Sequence, residues 1–236
     1  MSPRRPDTDP DNLLRVLRTS PVFSGGEPAT LVSLVREAAP MPYPAGAFLF
    51  RQGEPAAHVF VLTKGEVAVV SPARGGAEQV HGILGRGDLL GELALLAHGR
   101  RTAGARATSA TVAWAIGRDA FWAFLDATPS ASSALLRQVA ERLAAREALI
   151  DDLLSLDVKG RLAKALLRLA DRHGHPAGDG GVEIGVRLTH RELAGMVGAS
   201  RENVSRALAT FRKRGLVAYD ATAIRVLDPA ALRRLT

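Results

Sequence analysis

Leu188-Thr189-His190-Arg191-Glu192-Leu193-Ala194-Gly195-Met196-Val197-Gly198-Ala199-Ser200-Arg201-Glu202-Asn203-Val204-Ser205-Arg206 reads as two short helices joined by a tight turn. Thr189 is a good N-cap, and Glu192 three residues on completes a capping box. Gly198 can take the positive φ that ends the first helix. Ser200 then caps a second helix running to about Arg214, where Gly215 stops it. In that helix Val204, Leu208 and Phe211 follow i, i+4, i+7 spacing and face a core. Glu202, Ser205, Arg206, Ala209 and Lys213 fall on the opposite side. Long polar residues mixed with small ones suit a helix lying in the major groove of DNA. A solvated outer face would have a similar look, so the charge of the whole chain carries weight.

The sequence has 31 Lys and Arg against 24 Asp and Glu, a net charge of +7. Residues 157–236 hold 15 basic and 8 acidic residues, an excess of 7, while residues 1–156 hold 16 of each. All the surplus positive charge therefore lies on the segment with the two short helices, as expected of a nucleic-acid module joined to a neutral partner. No cysteine is present. That excludes disulfides, thiolate zinc sites and Cys-ligated iron–sulfur clusters. No apolar run approaches the ~18 residues of a membrane span. The N-terminus, with Pro3, Arg4, Arg5 and Pro6, lacks an apolar signal core and reads as a disordered tail of a cytoplasmic protein. No Walker loop, metal motif or nucleophile-and-base arrangement marks an enzyme.

The rest of the chain divides by its periodicity. Residues 11–19 and 28–39 read as short helices, with Pro28 at a first helical position. From Met41 to about Ile116, short apolar runs such as Ala47–Phe50, Val59–Leu62 and Val67–Val70 alternate with glycines. That pattern indicates an antiparallel sandwich or roll. A helix from about Arg118 to Ala127 follows, then a long one from Pro129 to Leu156. In the long helix Leu136, Val139, Leu143, Arg146, Ile150 and Leu153 repeat by 3 and 4, a coiled-coil seam with Arg146 as its odd member. Dimerisation is the favoured reading of that seam; packing on its own domain is the alternative. Asp157 reads as the N-cap of a helix to His173, and 173–181 as a loop. Val182–Leu188 reads as a strand. Leu216–Ala218 and Ala223–Val226 form the hairpin of a winged helix, and a last helix covers Pro229–Leu235.

A second stretch, Asp88-Leu89-Leu90-Gly91-Glu92-Leu93-Ala94-Leu95-Leu96-Ala97-His98-Gly99-Arg100-Arg101-Thr102-Ala103, brackets a short apolar segment with an acid and an arginine–hydroxyl pair. Arg offers a fork to phosphate, Thr and backbone N–H groups add donors, and a short helix at 93–97 turns its N-terminus to the same place. An internal Glu92–Arg101 ion pair fits the spacing equally well.

Gly91-Glu92-Leu93 with Arg101-Thr102-Ala103 resembles the phosphate-binding cassette of cyclic-nucleotide-binding domains. Thr189…Glu192 with Gly198–Arg206 resembles the winged helix of the catabolite-activator family, the cyclic AMP receptor and fumarate–nitrate regulators. The resemblance covers about residues 20–228. It implies an α+β chain: a tail and short helix (1–19), an N-terminal antiparallel β-roll that binds cyclic nucleotide (20–128), a long dimerisation helix (129–156) and a C-terminal winged helix-turn-helix (157–236). It also implies a hinge at Asp157. By the same resemblance Glu92 accepts from the ribose 2′-hydroxyl, Arg101 and Thr102 hold the cyclic phosphate, and Gly91 lets the backbone approach. Arg201, Glu202 and Arg206 read bases of a TGTGA-like half-site in palindromic double-stranded DNA. Thr189 and Ser200 meet phosphates, and Asn203 stands where relatives carry a small polar residue. RNA polymerase is a further implied partner, through loops the sequence does not mark.

The chain departs from the cyclic AMP-responsive pattern at one place. Where the long helix of those members offers a Thr followed by Ser or Asn to the adenine, this sequence has Arg146 and Glu147. Either the base is read differently, with Glu147 accepting from the amine and Arg146 meeting a ring nitrogen, or the ligand differs. Haem would need a His such as His81 or His98, each of which reads as an ordinary surface or turn residue. The competing expectation is a ligand-independent regulator controlled by its abundance, the roll serving as a dimerisation scaffold.

Overall fold

The computed structural model describes residues 6–72, 78–97, 99–177, 181–186, 188–220 and 223–236. They fall into two compact units: the first contains residues up to 71 and 82–144, the second residues 72–81 and 145–236. Arg4, Arg5, Gly75, Gly76, His98, Ala221 and Thr222 lie outside the described residues.

In chain order, α1 (Pro10–Thr19) and α2 (Pro28–Glu37) precede the strands β1 (Ala39–Tyr43), β2 (Phe48–Phe50), β3 (His58–Lys64) and β4 (Val67–Pro72). β5 (Glu78–Leu84), β6 (Leu89–Leu90), the five-residue α3 (Glu92–Leu96), β7 (Gly104–Ala107), β8 (Thr111–Gly117) and α4 (Arg118–Ala127) follow. The strands make two antiparallel four-stranded sheets, ordered β1-β8-β3-β6 and β2-β7-β4-β5, so the roll expected from the glycine-separated runs is what forms. Within the described residues, Lys64 Nζ pairs with Asp7 at 2.6 Å, and Asp9 caps α1.

β3 and β8 lie against each other with Val61 opposite Trp114, and both are buried along nearly their whole length. Alternation explains why. Val59, Val61, Trp114 and Ile116 point into a core shared with Leu13, Leu17, Phe121 and Phe124 from the helices and Phe23 from the turn after α1. Phe60, Leu62, Ala113 and Ala115 point the other way, into the interior of the roll with Val67, Leu90 and Ala105. Strands covered on both faces read as unbroken apolar runs rather than as alternating ones.

α5 (Pro129–Ser155) is 27 residues long, about 40 Å at 1.5 Å per residue. Ala131 and Leu135 anchor its start in the helical core. Further along, Leu136, Leu143, Ile150, Leu153 and Leu154 are exposed, Leu136 at 72% and Leu154 at 84%. Near its end Asp152 is buried and takes Lys164 Nζ at 2.6 Å.

The second unit continues with α6 (Val158–His173), β9 (Gly174–Pro176), β10 (Val182–Ile184), α7 (His190–Val197) and α8 (Arg201–Lys213). The hairpin β11 (Val217–Tyr219) and β12 (Ile224–Val226) and the short α9 (Pro229–Arg233) complete it. Asp157 caps α6, its side chain accepting from Gly160 N at 2.8 Å. β9 corrects the expectation of a loop over 173–181: it pairs with β10, Val182 opposite Pro176. Its glycine and proline hide it in the sequence. Pro176 is tolerated because β9 is the edge of the sheet β11-β12-β10-β9, where a missing N–H costs no ladder bond.

Candidate effector and DNA-reading sites

β6 runs into Gly91, whose φ of 85° lies in the left-handed region where a side chain is strained. A Cβ there would also collide with Arg101 Nη1. Glu92 follows as the first residue of α3 and is 1% exposed. Arg142, from α5, reaches its carboxylate: Nη1 bonds Glu92 Oε1, and Nη2 donates to Leu89 O at 3.1 Å. Burial pushes the Glu92 carboxyl above the usual carboxylate range, while the Arg142 charge and hydrogen bond oppose that rise.

Arg101 is also buried. Its Nη1 donates to Gly91 O at 3.0 Å and its Nη2 to His58 O at 2.8 Å. The guanidinium lies 4.0 Å from the Phe50 ring centroid and 5.6 Å from that of Phe60, a cation over aromatic faces. Glu92 is thus held by Arg142 and Arg101 by two carbonyls, instead of the Glu92–Arg101 ion pair that the spacing left open. Glu92 Oε2 and Arg101 Nε remain buried without a hydrogen-bond partner. Such atoms are rare because each costs about 1–3 kcal/mol. Thr102 beside them is exposed and Leu93 half-buried.

The structure thus brings Gly91, Glu92 and Arg101 together. Arg146 and Glu147 are exposed on α5, within the stretch that belongs to the second unit. Sequence reasoning missed Arg142, Phe50 and Phe60. Arg142 carried a signal: it precedes Arg146 by four residues and so shares its helix face. The two Phe residues carried none, because only the pairing of distant strands brings them to Arg101.

In the second unit the caps form as read. Thr189 Oγ1 accepts from Glu192 N at 3.2 Å, and Glu192 Oε2 accepts from Thr189 N at 2.8 Å. Gly198 has a φ of 61°, and Ser200 Oγ accepts from Asn203 N at 3.2 Å. Val204, Leu208 and Phe211 are fully buried, which fixes the opposite face outward. Arg201, Glu202, Arg206 and Lys213 are exposed, as are Thr189 and Ser200. Ser205 is turned to another use: its hydroxyl bonds His190 Nδ1 at 2.8 Å and ties α8 to α7. Asn203 Oδ1 accepts from Arg206 Nη2 and steers that side chain. The Glu202 backbone N–H and the Ser200 hydroxyl hold the Glu202 carboxyl below the usual range, so it is an ionised acceptor at neutral pH. An exposed row of Arg, Glu and Arg on a rigid helix can meet base edges in a groove.

Residues 40–128 match the cyclic nucleotide-binding domain, and residues 160–235 match the Crp-like helix-turn-helix domain. A CRP-like cAMP-activated global transcriptional regulator of Mycobacterium tuberculosis is 35% identical over 219 residues, covering 93% of this chain and 97% of that protein. The chain belongs to the CRP/FNR family of transcriptional regulators. Among solved structures of similar proteins, the catabolite activator protein of Thermus thermophilus has 30% identity and a TM-score of 0.52, over 92% of this chain and 98% of that one. FixK2 of Bradyrhizobium japonicum, at 22% identity, bears on the fold alone, with a TM-score of 0.73 over 84% of this chain and 96% of its own. As a CRP/FNR regulator the protein is a DNA-binding regulator with a cyclic nucleotide-binding domain, not an enzyme. None of its helices is long and apolar enough, among the described residues, to cross a membrane.

Proposed function

We propose that this CRP/FNR regulator is a cytoplasmic homodimer that reads palindromic DNA and is switched by cyclic AMP bound in its roll. One observation carries the effector reading: a buried acceptor, Glu92 Oε2, and a buried donor, Arg101 Nε, both lack partners within one cassette. A ligand joining a phosphate anion to a sugar hydroxyl supplies both. The phosphate takes Arg101 and Thr102, and the ribose hydroxyl donates to Glu92. The name of the mycobacterial relative, cAMP-activated, supports the same choice of nucleotide. Arg146 and Glu147 are the residues proposed to meet the base. The ligand-independent reading draws on those two positions and is the outcome the test sets against this one.

A ligand alters DNA affinity only if it binds two arrangements of the protein unequally. Calorimetric titration with cyclic AMP, followed by operator binding with and without saturating nucleotide, tests this. The expected result is binding in the roll and a tightening on the operator within the roughly 5–150-fold span of moderate coupling. Equal operator affinity in both conditions overturns the switch and leaves the ligand-independent regulator.

For the DNA, Arg201 and Arg206 are proposed to pair with guanine O6 and N7, Glu202 to accept from a cytosine amine, and Thr189 and Ser200 to meet phosphates. The resulting half-sites are TGTGA-like, and a two-fold dimer sets their centres about 34 Å apart. Replacing Arg206 by Ala costs roughly 1–3 kcal/mol on the specific site and little on random DNA. Lys213, nearer the helix end, contributes to both alike if it meets only phosphate. Binding-site selection with wild type and Arg206→Ala is the check, and a consensus that is non-palindromic or unchanged in the variant refutes this readout. RNA polymerase is the partner proposed for the bound dimer.

A further inference from the structure

Arg201, Ser205, Ala209 and Arg212 form one row along the outer side of α8, spaced three to four residues apart. Two of the four are engaged with their own protein. The Ser205 hydroxyl bonds His190 Nδ1 at 2.8 Å. The Arg212 guanidinium stands 4.8 Å from the Tyr219 ring centroid, a cation over an aromatic face. The Tyr219 ring also meets the His190 ring nearly edge to face, at 5.8 Å and 72°. Three elements are thereby stitched together: His190 begins α7, Ser205 and Arg212 belong to α8, and Tyr219 ends β11. Whichever partner carries the proton, the hydroxyl and Nδ1 are committed to each other.

The inner side of α8 is held differently. Val204, Leu208 and Phe211 are apolar and fully buried, and apolar burial is non-directional. It keeps the helix seated but sets its rotation weakly. A hydrogen bond from the outer side is directional and opposes that rotation. Base reading needs such restraint, because a binding constellation works only when held within about 0.5 Å and 10–20°. Arg201 lies one turn before Ser205 and Arg206 directly after it, so both turn with it. Phosphate contacts are electrostatic and independent of sequence, and they tolerate a small rotation.

We infer that His190 is a specificity-positioning residue: acting through Ser205, and steadied by Tyr219 and Arg212, it sets the rotation of the reading helix without itself meeting DNA. The four residues make a bracket that lies wholly within the second unit. Ser205 is accordingly spent on aim and not on a base. The effect on base choice rests on the DNA reading proposed above; the bracket itself does not.

The test uses the full chain as wild type, His190→Ala, Ser205→Ala, the double variant and His190→Asn. Hydrogen exchange over residues 206–213, without DNA, reads the bracket. His190→Ala is expected to raise that exchange in the wild-type background and far less in the Ser205→Ala background, since the two residues share one bond. Binding is then measured on a selected operator and on random DNA across a range of salt. His190→Ala lowers operator affinity by roughly tenfold, within the cost of a lost base contact, and hardly changes random-DNA affinity. The slope of log affinity against log salt stays at its wild-type value, because no phosphate contact is lost. His190→Asn, whose amide stands where Nδ1 stood, restores most of the operator affinity. Equal effects of His190→Ala on exchange in both backgrounds overturn the bracket. A loss shared equally by operator and random DNA, with a flatter salt slope, makes His190 a phosphate contact and overturns the positioning role. A wild type with no sequence preference overturns the base reading proposed above together with that role, and is told apart by an exchange result that still holds.

Discussion

Replacing Leu143 and Ile150 together by Asp is expected to yield a monomer that keeps its fold and binds operator weakly. Both side chains are more than half exposed, at 57% and 58%, so neither supports the core of its own chain. With Leu136, Leu153 and Leu154 they form an apolar stripe along α5 that a second copy would cover. Fully burying an exposed side chain of this kind is worth about 1.5–3 kcal/mol, and just over half of that is left to gain here. Two from each protomer give about 3.5–7 kcal/mol, a large share of the about 8 kcal/mol of a micromolar complex. The substitution therefore removes enough to abolish association at ordinary concentrations, even before the repulsion of four carboxylates. Sedimentation of both forms, with circular dichroism to check folding, decides the matter. A wild type that sediments as a monomer overturns the dimer.

Arg101→Ala is expected to remove nucleotide binding and to lower the melting temperature as well. Losing a buried, charge-assisted partner of a phosphate costs about 2–5 kcal/mol of affinity. The stability loss arises separately, because Gly91 O and His58 O each lose their guanidinium donor, at about 1–3 kcal/mol for a group left unsatisfied. Thr102→Ala separates the two effects. Thr102 is exposed, so its loss weakens nucleotide binding by about 1 kcal/mol and leaves the melt unchanged. Calorimetry well below the melting temperature measures each affinity. Full affinity in Arg101→Ala would show that the cassette is not the effector site.

Features set by neighbours in the chain were legible. The capping box at Thr189 and Glu192, the positive φ of Gly198 and the Ser200 cap are local chemistry, and each forms as the residues indicate. The burial of Val204, Leu208 and Phe211 follows from helical spacing alone. What stayed hidden depends on partners far away in sequence. Arg142 meets Glu92 across 50 positions, and β9 exists because β10 offers it an edge. The resemblance marks Arg101 only as the proposed phosphate ligand. Its bracing of two carbonyls beside the Phe50 ring is visible only once β2, β3 and β6 are assembled.

The double burial of β3 has a mechanical meaning. Phe60 stacks on Phe50 beside Arg101 on one side of the strand. Val59 and Val61, its immediate neighbours, press on the other side into the core that seats the start of α5 at Leu135. A strand with no open side has no slack. Close-packed interiors have low compressibility and transmit strain, so a displacement of the Phe60 ring would be felt at those two valines. β3 is thus a shared wall between two packed chambers, and a displacement on one face would be felt on the other.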